Sequence, residues 1–429
     1  MNKNQYLTVA ATYLKLTKKK LNTYLSDFIL SDSNQEFRRK KTIIEYYETE
    51  KIRIPKFINE FWTAKQRQNN PIHEVSYRAC FKAELPRFFI NLFTEKNDIV
   101  YDPFAGRGTT IIEAALLNRK IIANDINPLS TILSGPRLFI PSYDDVENRL
   151  NEIKFRSGLK ADINLSMFYH SDTESEIVSL RNYLIRKKKN KEDDFIDNWI
   201  RMVATNRLTG HSRNFFSVYT LPPNQAVTAE RQKKINDLYN QVPLYKNVKG
   251  IILKKTRDLT SELNSNFINS LKKIGEKSLF LNQDARFTSG IKNKSVNLTV
   301  TSPPFLDIVN YVEDNWLRCW FNNNDAKKIS KKLTITRKLN DWKKAMGQVF
   351  TELHRITKNG GYVAFEVGEV RKGKVRLDEH VVPLGIEAGF QPLGILINLQ
   401  HFTKTANIWG VNNNTIGTNT NRIVIFKKK

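Results

Sequence analysis

The sequence predicts an α/β fold in which a large, mainly helical insertion interrupts a sheet, and two observations support this prediction. The apolar strand at 98–101 leads through a glycine turn into a helix at 111–117 and a second apolar strand at 120–123. Residues 141–277 lack this alternation and have a charged, helical pattern, after which apolar strands resume, as at 296–300. Two separated blocks of the chain are therefore expected to build one sheet.

The same patterns divide the chain into four segments. These are an N-terminal helical extension at 1–70, a first half of the sheet at 71–140, the helical insertion at 141–277 and a second half of the sheet at 278–429. Further strands are expected at 278–281, 361–367, 393–399 and 422–426, and a helix at 342–356. A chain of 429 residues exceeds what one hydrophobic core usually organises, so a second region beside the sheet is expected.

The charge balance points to a polyanionic partner. The 69 Lys and Arg residues exceed the 43 Asp and Glu residues, which gives a net charge of +26. Nucleic acid is the commonest such partner, and a Lys-rich solvated surface or an anionic membrane surface are the alternatives. We find no apolar run long enough to span a bilayer and no signal peptide, so we expect a cytoplasmic protein. Cys80 and Cys319 are too few for a zinc cluster, and we expect no metal.

The glycine turn has the features of a site for an adenosine-containing ligand. Gly106 and Gly108 permit positive backbone angles and close approach of a ligand at a helix N-terminus. Dinucleotide, nucleotide and purely structural turns share this feature, and Ile111 stands where the dinucleotide pattern has its third glycine. Asp125 ends the next strand, where an acid can accept both hydroxyls of a ribose, although it can also cap the following turn.

The segment Ser302-Pro303-Pro304-Phe305 follows another strand of the same sheet. Two successive prolines remove two backbone N–H donors, so the main-chain carbonyls and the Ser302 hydroxyl present acceptors to a ligand. An exocyclic amino group of a base supplies two N–H donors, and Phe305 offers an aromatic face for the unstacked base. A Pro-Pro turn that only closes a strand is the competing interpretation. Because ligands of open α/β sheets gather at the carboxyl ends of strands, the position favours a site.

Two motifs together carry a family resemblance. Residues 102–110, Asp-Pro-Phe-Ala-Gly-Arg-Gly-Thr-Thr, and 301–305, Thr-Ser-Pro-Pro-Phe, resemble the cofactor-binding and catalytic motifs of prokaryotic DNA amino-methyltransferases. The resemblance covers 77–129 and 282–427. It implies a Rossmann-like, S-adenosylmethionine-dependent methyltransferase sheet, whose cofactor-binding half precedes the long middle region and whose catalytic half follows it. That order makes residues 141–277 the natural target-recognition region.

The resemblance also implies roles for individual residues. The residues expected to bind the cofactor are Asp102, Phe104, Gly106, Gly108, Thr109, Thr110, Asp125 and Asp284. Among them, Thr109 and Thr110 are expected to cap the helix and meet the cofactor carboxylate, and Asp284 to approach the adenine amine. Ser302, Pro303, Pro304 and Phe305 are expected to hold the target base.

Residues 206–216 cluster cations, amides and aromatics that suit phosphates and base edges. The candidate nucleic-acid contacts are Arg207, His211, Arg213, Asn214 and, in a later loop, Lys404. A buried polar loop of the insertion is the alternative interpretation of this cluster.

The expected activity is methyl transfer from S-adenosylmethionine to the exocyclic amine of a flipped base in double-stranded DNA. Cytosine N4 is favoured because Ser302 leads the catalytic motif, where adenine enzymes more often have Asp or Asn. The resemblance also implies a restriction-modification system, with a companion endonuclease encoded nearby. Four alternatives remain: an N6-adenine DNA methyltransferase, an RNA amino-methyltransferase, a catalytically silent nucleic-acid-binding subunit and a nicotinamide oxidoreductase.

Overall fold

The computed structural model describes residues 18–30, 41–62, 70–77, 80–221, 226–304, 306, 311–333, 336–371, 374–399 and 420–429. Within them, one nine-stranded sheet forms the centre of the molecule. Its strands are β1 (Ile43–Thr49), β2 (Ile52–Asn59), β3 (Ile99–Asp102), β4 (Lys120–Asn124), β5 (Leu279–Leu281), β6 (Val296–Thr301), β7 (Thr357–Val367), β10 (Phe390–Leu399) and β11 (Thr420–Lys428). A separate two-stranded ribbon consists of β8 (Glu369–Val370) and β9 (Val375–Arg376).

The strand order is β1-β2-β10-β11-β7-β6-β3-β4-β5, and neighbouring strands from β7 to β5 are parallel. The strand β11 is antiparallel to both of its neighbours, β10 and β7. The two blocks of sequence meet where β6, from the second block, pairs with β3 from the first. This confirms the expected Rossmann-like α/β sheet, with its two motifs on adjacent central strands.

The helices are α1 (Lys18–Ser26), α2 (Glu84–Phe93), α3 (Thr109–Leu116), α4 (Leu129–Ser134), α5 (Tyr143–Glu152), α6 (Ser171–Lys189), α7 (Phe195–Arg207), α8 (Ala229–Leu238), α9 (Val248–Thr260), α10 (Ser265–Gly275), α11 (Tyr311–Phe321), α12 (Ala326–Lys332), α13 (Leu339–Ile356) and α14 (Leu377–Glu387). Successive strand residues point to opposite faces, and helices cover both faces of the central strands. Val100 belongs to an apolar cluster that also contains residues of α2 and α3, whereas Tyr101 belongs to a cluster with residues of α13 and α14.

The middle of the chain is helical, as expected, and contains α5 to α10. These helices share the first apolar cluster with the sheet, because Leu150, Trp199 and Leu271 lie in the same cluster as Val100. The helical middle therefore packs directly over one face of the sheet, on the side of α3.

The expectation of a helical N-terminal extension is wrong over 43–59, which form a β-hairpin. The strand β2 pairs in parallel with β10, so the hairpin extends the main sheet. The segment is rich in Ile and Tyr, which favour strands. Pro55 lies inside β2, one residue before the stretch that pairs with β10.

The described residues contain neither a membrane-spanning helix nor a metal-binding cluster. None of their helices is both long and apolar enough to cross a membrane. No group of three or more His, Cys, Asp or Glu side chains among them is placed to hold a metal ion.

Candidate active site

The two motifs meet at the carboxyl ends of β3 and β6. Thr301 Oγ1 donates a hydrogen bond of 2.6 Å to Asp102 Oδ1, and Phe104 N donates one of 3.1 Å to the same oxygen. Asp102 is 1% exposed, and burial raises its pKa to about 7. The carboxylate at the end of β3 thus connects the glycine turn to the residue that precedes Ser302.

Asp125 closes the glycine turn from the end of β4. Its Oδ2 accepts a hydrogen bond of 2.8 Å from Gly106 N, and its Oδ1 accepts one of 2.9 Å from Asn127 N. Gly106 has a φ of 51°, which aims its N–H at this carboxylate. Burial raises the pKa of Asp125 to about 6. Each carboxylate oxygen keeps a lone pair for a further donor, such as a ribose hydroxyl.

Gly108 has a different role from that expected of a glycine in contact with a cofactor. Its φ is 80°, and a Cβ added there would lie 2.4 Å from Ser134 Cβ on α4. Gly108 is therefore required by the packing of the turn against α4. The structure also corrects the expected roles of the next two residues, since α3 has Gly108 as its N-cap and no side-chain cap. Thr109 Oγ1 accepts from Arg107 Nε, and Thr110 Oγ1 donates to the Val300 carbonyl, so these hydroxyls connect structural elements.

A cavity that is partly open to solvent lies at this edge of the sheet. It is bordered by residues of both motifs: Phe104 and Asp125 on the cofactor side, and Pro304 on the catalytic side. Its lining residues are Pro103, Phe104, Asp125, Ile126, Asp284, Ala285, Arg286, Pro304, Lys332, Leu333, Ala345, Met346 and Val349. The mixture of apolar walls with a few carboxylates suits a nucleoside with a sulfonium side chain.

Asp284 lies on this cavity, but its carboxylate already has a partner. Arg286 Nε lies 2.9 Å from Asp284 Oδ1, and Arg286 Nη2 lies 2.5 Å from Asp284 Oδ2. Burial alone would raise the pKa of Asp284, but its hydrogen bonds with Arg286 hold the pKa below its usual value. An adenine amine would therefore share an ionised carboxylate with Arg286.

The catalytic segment is held from two sides. The Ser302 hydroxyl forms a hydrogen bond with the carboxylate of Glu366, and Asn421 Nδ2 donates to Glu366 Oε1 at 2.9 Å. Thr301 pairs with Phe365 across the parallel strands β6 and β7. The next residue of each strand, Ser302 and Glu366, therefore lies beside the other. Trp342 Nε1 donates to the Pro304 carbonyl at 2.9 Å, which leaves the Pro303 carbonyl as the candidate main-chain acceptor. Phe305 lies outside the described residues.

Glu366 is 5% exposed, and burial raises its pKa to about 7 even though Ser302 and Asn421 hydrogen-bond to it. A hydroxyl that donates to a carboxylate still has lone pairs with which to accept an N–H group. Ser302 can therefore serve as an acceptor for an amine while Glu366 receives its proton.

The cluster at 206–216 is divided between buried and exposed residues. Arg207 is 6% exposed, its guanidinium lies 3.9 Å from the centre of the Phe215 ring, and burial lowers its pKa to about 10. This corrects its expected exposure, because Arg207 supports the loop from inside. His211 is partly buried, and burial followed by the charge of Arg207 lowers its pKa. Arg213 and Asn214 are exposed, and Lys404 lies outside the described residues.

Comparison with known proteins matches part of the chain to one family. Residues 2–130 match the family model of N6/N4 methyltransferases, described as DNA methylase. This match agrees with the resemblance of the glycine turn and with S-adenosylmethionine as the expected cofactor. The match begins at residue 2, so it includes the N-terminal hairpin that the sequence motifs alone left outside the resemblance.

Three curated relatives match parts of the chain. The type II methyltransferase M.MvaI of Kocuria varians is 27% identical over 263 residues, which are 54% of this chain and 52% of the relative. The orphan methyltransferase M.BamHII of Bacillus amyloliquefaciens is 28% identical over 151 residues, 32% of this chain and 56% of the relative. The type II methyltransferase M.BsoBI of Geobacillus stearothermophilus is 29% identical over 131 residues, 25% of this chain and 26% of the relative. The chain thus spans about half the length of the first two of these relatives and about a quarter of the third.

Sequence reasoning missed three side chains of this site. Glu366 was detectable as a charged residue in the apolar run 361–367 of β7, and Trp342 as an aromatic near the start of α13. Arg286 had a weaker signal, since it follows Asp284 by only two residues.

Proposed function

We propose that this chain transfers a methyl group from S-adenosylmethionine to the exocyclic amine of a base flipped out of double-stranded DNA, with cytosine N4 as the target. The observation that carries the proposal is that Ser302 and Glu366 follow the paired residues Thr301 and Phe365 on adjacent strands, next to the cavity that Pro304 borders. This arrangement joins an acceptor for the amine to a buried carboxylate that can take up a proton. The match of residues 2–130 to the N6/N4 methyltransferase family model supports the same chemistry.

The residues around the cavity fit the cofactor. Asp125 has lone pairs left for ribose hydroxyls, and Phe104, Met346 and Val349 offer apolar walls to the purine and the methionine chain. Asp284 would accept from the adenine amine beside Arg286. When bound, S-adenosylmethionine supplies an electrophilic methyl group on a positively charged sulfur.

The side chains of the catalytic segment would orient the amine. Ser302 Oγ and the Pro303 carbonyl would each accept one N–H of the amine, which turns the nitrogen lone pair away from the plane of the base. When the nitrogen gains its methyl group and a positive charge, Ser302 would take up one proton and pass its own proton to Glu366. A pKa of about 7 suits Glu366 to this exchange near neutral pH, and the proton then returns to solvent.

The choice of cytosine rests on Ser302 as the first residue of the catalytic motif. We further propose a site-specific enzyme of a restriction-modification system with a companion endonuclease. This follows from the similarity to type II methyltransferases. An N6-adenine enzyme is the nearest alternative, and it would use the same acceptors.

The test is transfer of labelled methyl groups from S-adenosylmethionine to unmodified DNA and, in parallel, to RNA. The proposal expects label in DNA only. It also expects Ser302→Ala to lower transfer about 100-fold while the Kd for S-adenosylmethionine stays within about twofold. Label only in RNA, no label at all, or equal loss of binding and transfer in Ser302→Ala would overturn the proposal.

A further inference from the structure

One loop of the helical middle exposes an unusual amount of apolar surface. In the described residues, the large hydrophobic side chains that are exposed number twelve, and five of them lie within residues 238–245, which we call the apolar tip. Leu238 is 76% exposed, Val242 72% and Leu244 70%. Isolated exposed hydrophobics are common, but a cluster of this kind usually marks an interaction surface.

The apolar tip is held rigidly, although its side chains point into solvent. Gln232 Nε2 and Gln241 Nε2 both donate to the Tyr219 carbonyl, at 3.0 and 2.9 Å, and Asn236 Nδ2 donates to the Met167 carbonyl at 2.8 Å. The Tyr239 ring packs edge-on against Tyr219, with 5.2 Å between the ring centres.

The far end of the tip is fixed in the same way. Tyr245 Oη donates to Glu176 Oε1 at 2.8 Å, and Lys246 Nζ donates to the carbonyls of Phe215 and Ser217. The loop is therefore preorganised with its apolar side chains outward, which reduces the entropy lost when a partner binds.

The tip is connected to the catalytic side of the molecule through α8. Just before α8, Ala226 N donates to the Asp314 carbonyl, and Trp316 Nε1 donates to the Val227 carbonyl. Asp314 and Trp316 lie in α11, the helix that follows the catalytic motif. The ten residues of α8 span about 15 Å, or about four base pairs of duplex, so the tip lies one helix length from these contacts with α11.

The charges around the tip select the partner. Residues 230–249 contain the cations Arg231, Lys233, Lys234 and Lys249, besides Lys246, whose ammonium holds the loop; the acids nearby are Glu230, Asp237 and, beside Tyr245, Glu176. The whole chain carries +26, so a second copy of it would be repelled, whereas a polyanion would be attracted. Apolar side chains flanked by cations are the combination by which proteins enter the minor groove and unstack base pairs.

We propose that the apolar tip inserts Leu238, Val242 and Leu244 into duplex DNA beside the target base and separates the stacked base pairs there. This rests on the proposed function for its biological role, and the insertion lowers the cost of taking the base out of the stack. Insertion into the bent duplex removes these three apolar side chains from water, which favours binding.

The experiment compares the wild-type chain with a triple variant, Leu238→Ser, Val242→Ser and Leu244→Ser. The matched control is Ile43→Ser, which removes a 57% exposed side chain from the edge strand β1. Binding is measured by fluorescence anisotropy with an unmodified mixed-sequence duplex. The triple variant should bind at least about tenfold more weakly, and the control should bind as the wild type does. All three proteins should keep the same thermal midpoint, because the substituted side chains are exposed.

Transfer kinetics then separate insertion from simple attachment. The triple variant should lose about tenfold in kcat/KM on a paired substrate and recover to within about threefold of wild type when the target base is mismatched, because a mismatched base is already unstacked. Unchanged binding and transfer would overturn the proposal. The proposal would also be overturned if the wild-type protein sedimented as a dimer, the triple variant sedimented as a monomer and their DNA binding were the same. The tip would then be a protein interface. Tip-dependent binding of DNA without any methyl transfer would refute the proposed function and leave the tip assignment standing.

Discussion

The hydroxyl of Thr301 donates a 2.6 Å hydrogen bond to the carboxylate of Asp102, and this bond joins the end of β6 to the end of β3. Because the two strands belong to different blocks of the sequence, the bond aligns the catalytic motif with the glycine turn. Burial raises the pKa of Asp102 to about 7. The hydrogen bonds from Thr301 and Phe104 act in the opposite direction, because they stabilise the ionised carboxylate.

Thr301→Val should lower the free energy of unfolding by about 2 kcal/mol, because a buried carboxylate loses a donor. The matched control is Thr299→Val on the same strand, since the hydroxyl of Thr299 is buried and has no hydrogen-bond partner among the described residues. That substitution should be neutral or stabilising. Denaturant unfolding of both variants measures the difference, and equal effects would show that the Thr301–Asp102 bond contributes nothing.

Gly108→Ala should destabilise the protein by about 3 kcal/mol, because it combines a strained φ with a contact of 2.4 Å to Ser134 Cβ. Gly106→Ala should cost only about 1 kcal/mol, since its Cβ would lie 3.5 Å from the Tyr77 ring. Denaturant unfolding of the two single variants gives this comparison. The double variant Gly108→Ala, Ser134→Gly should recover part of the loss, and no recovery would mean that packing against α4 is not the cause.

The rate of methyl transfer should rise with pH through about 7 and then level off, because Glu366 accepts a proton only as the carboxylate. Glu366→Gln should lower the plateau about 100-fold and remove this step from the pH profile. The Kd for S-adenosylmethionine, measured over the same pH range, reports the ionisation of Asp102 and Asp125 instead. A pH step that persists in Glu366→Gln would assign the titration to another group.

Arg213→Ala and Arg207→Ala should have opposite consequences. Arg213 is exposed, so its loss should leave stability within about 0.5 kcal/mol of wild type and reduce the salt dependence of DNA binding by about one unit of slope. Arg207 is buried against Phe215, so its loss should cost about 2 kcal/mol in unfolding free energy. DNA titrations at several salt concentrations, together with thermal unfolding, distinguish the two. If Arg213→Ala destabilised the protein and Arg207→Ala changed only DNA binding, the assignment of Arg213 as exposed and Arg207 as buried would be refuted.

The sequence was sufficient to predict that Asp102 and Ser302 lie at one edge of the sheet, because each follows an apolar strand and carboxyl ends of parallel strands meet. It was not sufficient to predict the partner of Ser302. Glu366 reaches Ser302 only through the register of β6 against β7, which tertiary packing determines. The hairpin at 43–59 was missed for a similar reason, since its pairing partner β10 lies far along the chain.

The sequence was also sufficient for some of the expected cofactor residues and not for others. Asp125 and Phe104 line the cavity as their positions after strands suggested, whereas the hydroxyls of Thr109 and Thr110 have structural partners. Residue type and spacing identify which segment forms a site. The direction of each side chain depends on neighbours that are remote in sequence, such as Ser134 beside Gly108.

The most direct test of the central claim is the identity of the methylated nucleoside. Duplex DNA is incubated with the protein and S-adenosylmethionine, digested to nucleosides and analysed by mass spectrometry beside a Ser302→Ala control. The account predicts N4-methylcytosine with the wild-type protein and at most about one hundredth of it with the variant. N6-methyladenine would keep the amine chemistry and refute the choice of cytosine. Methylation at a ring carbon, or unmodified DNA, would contradict the account.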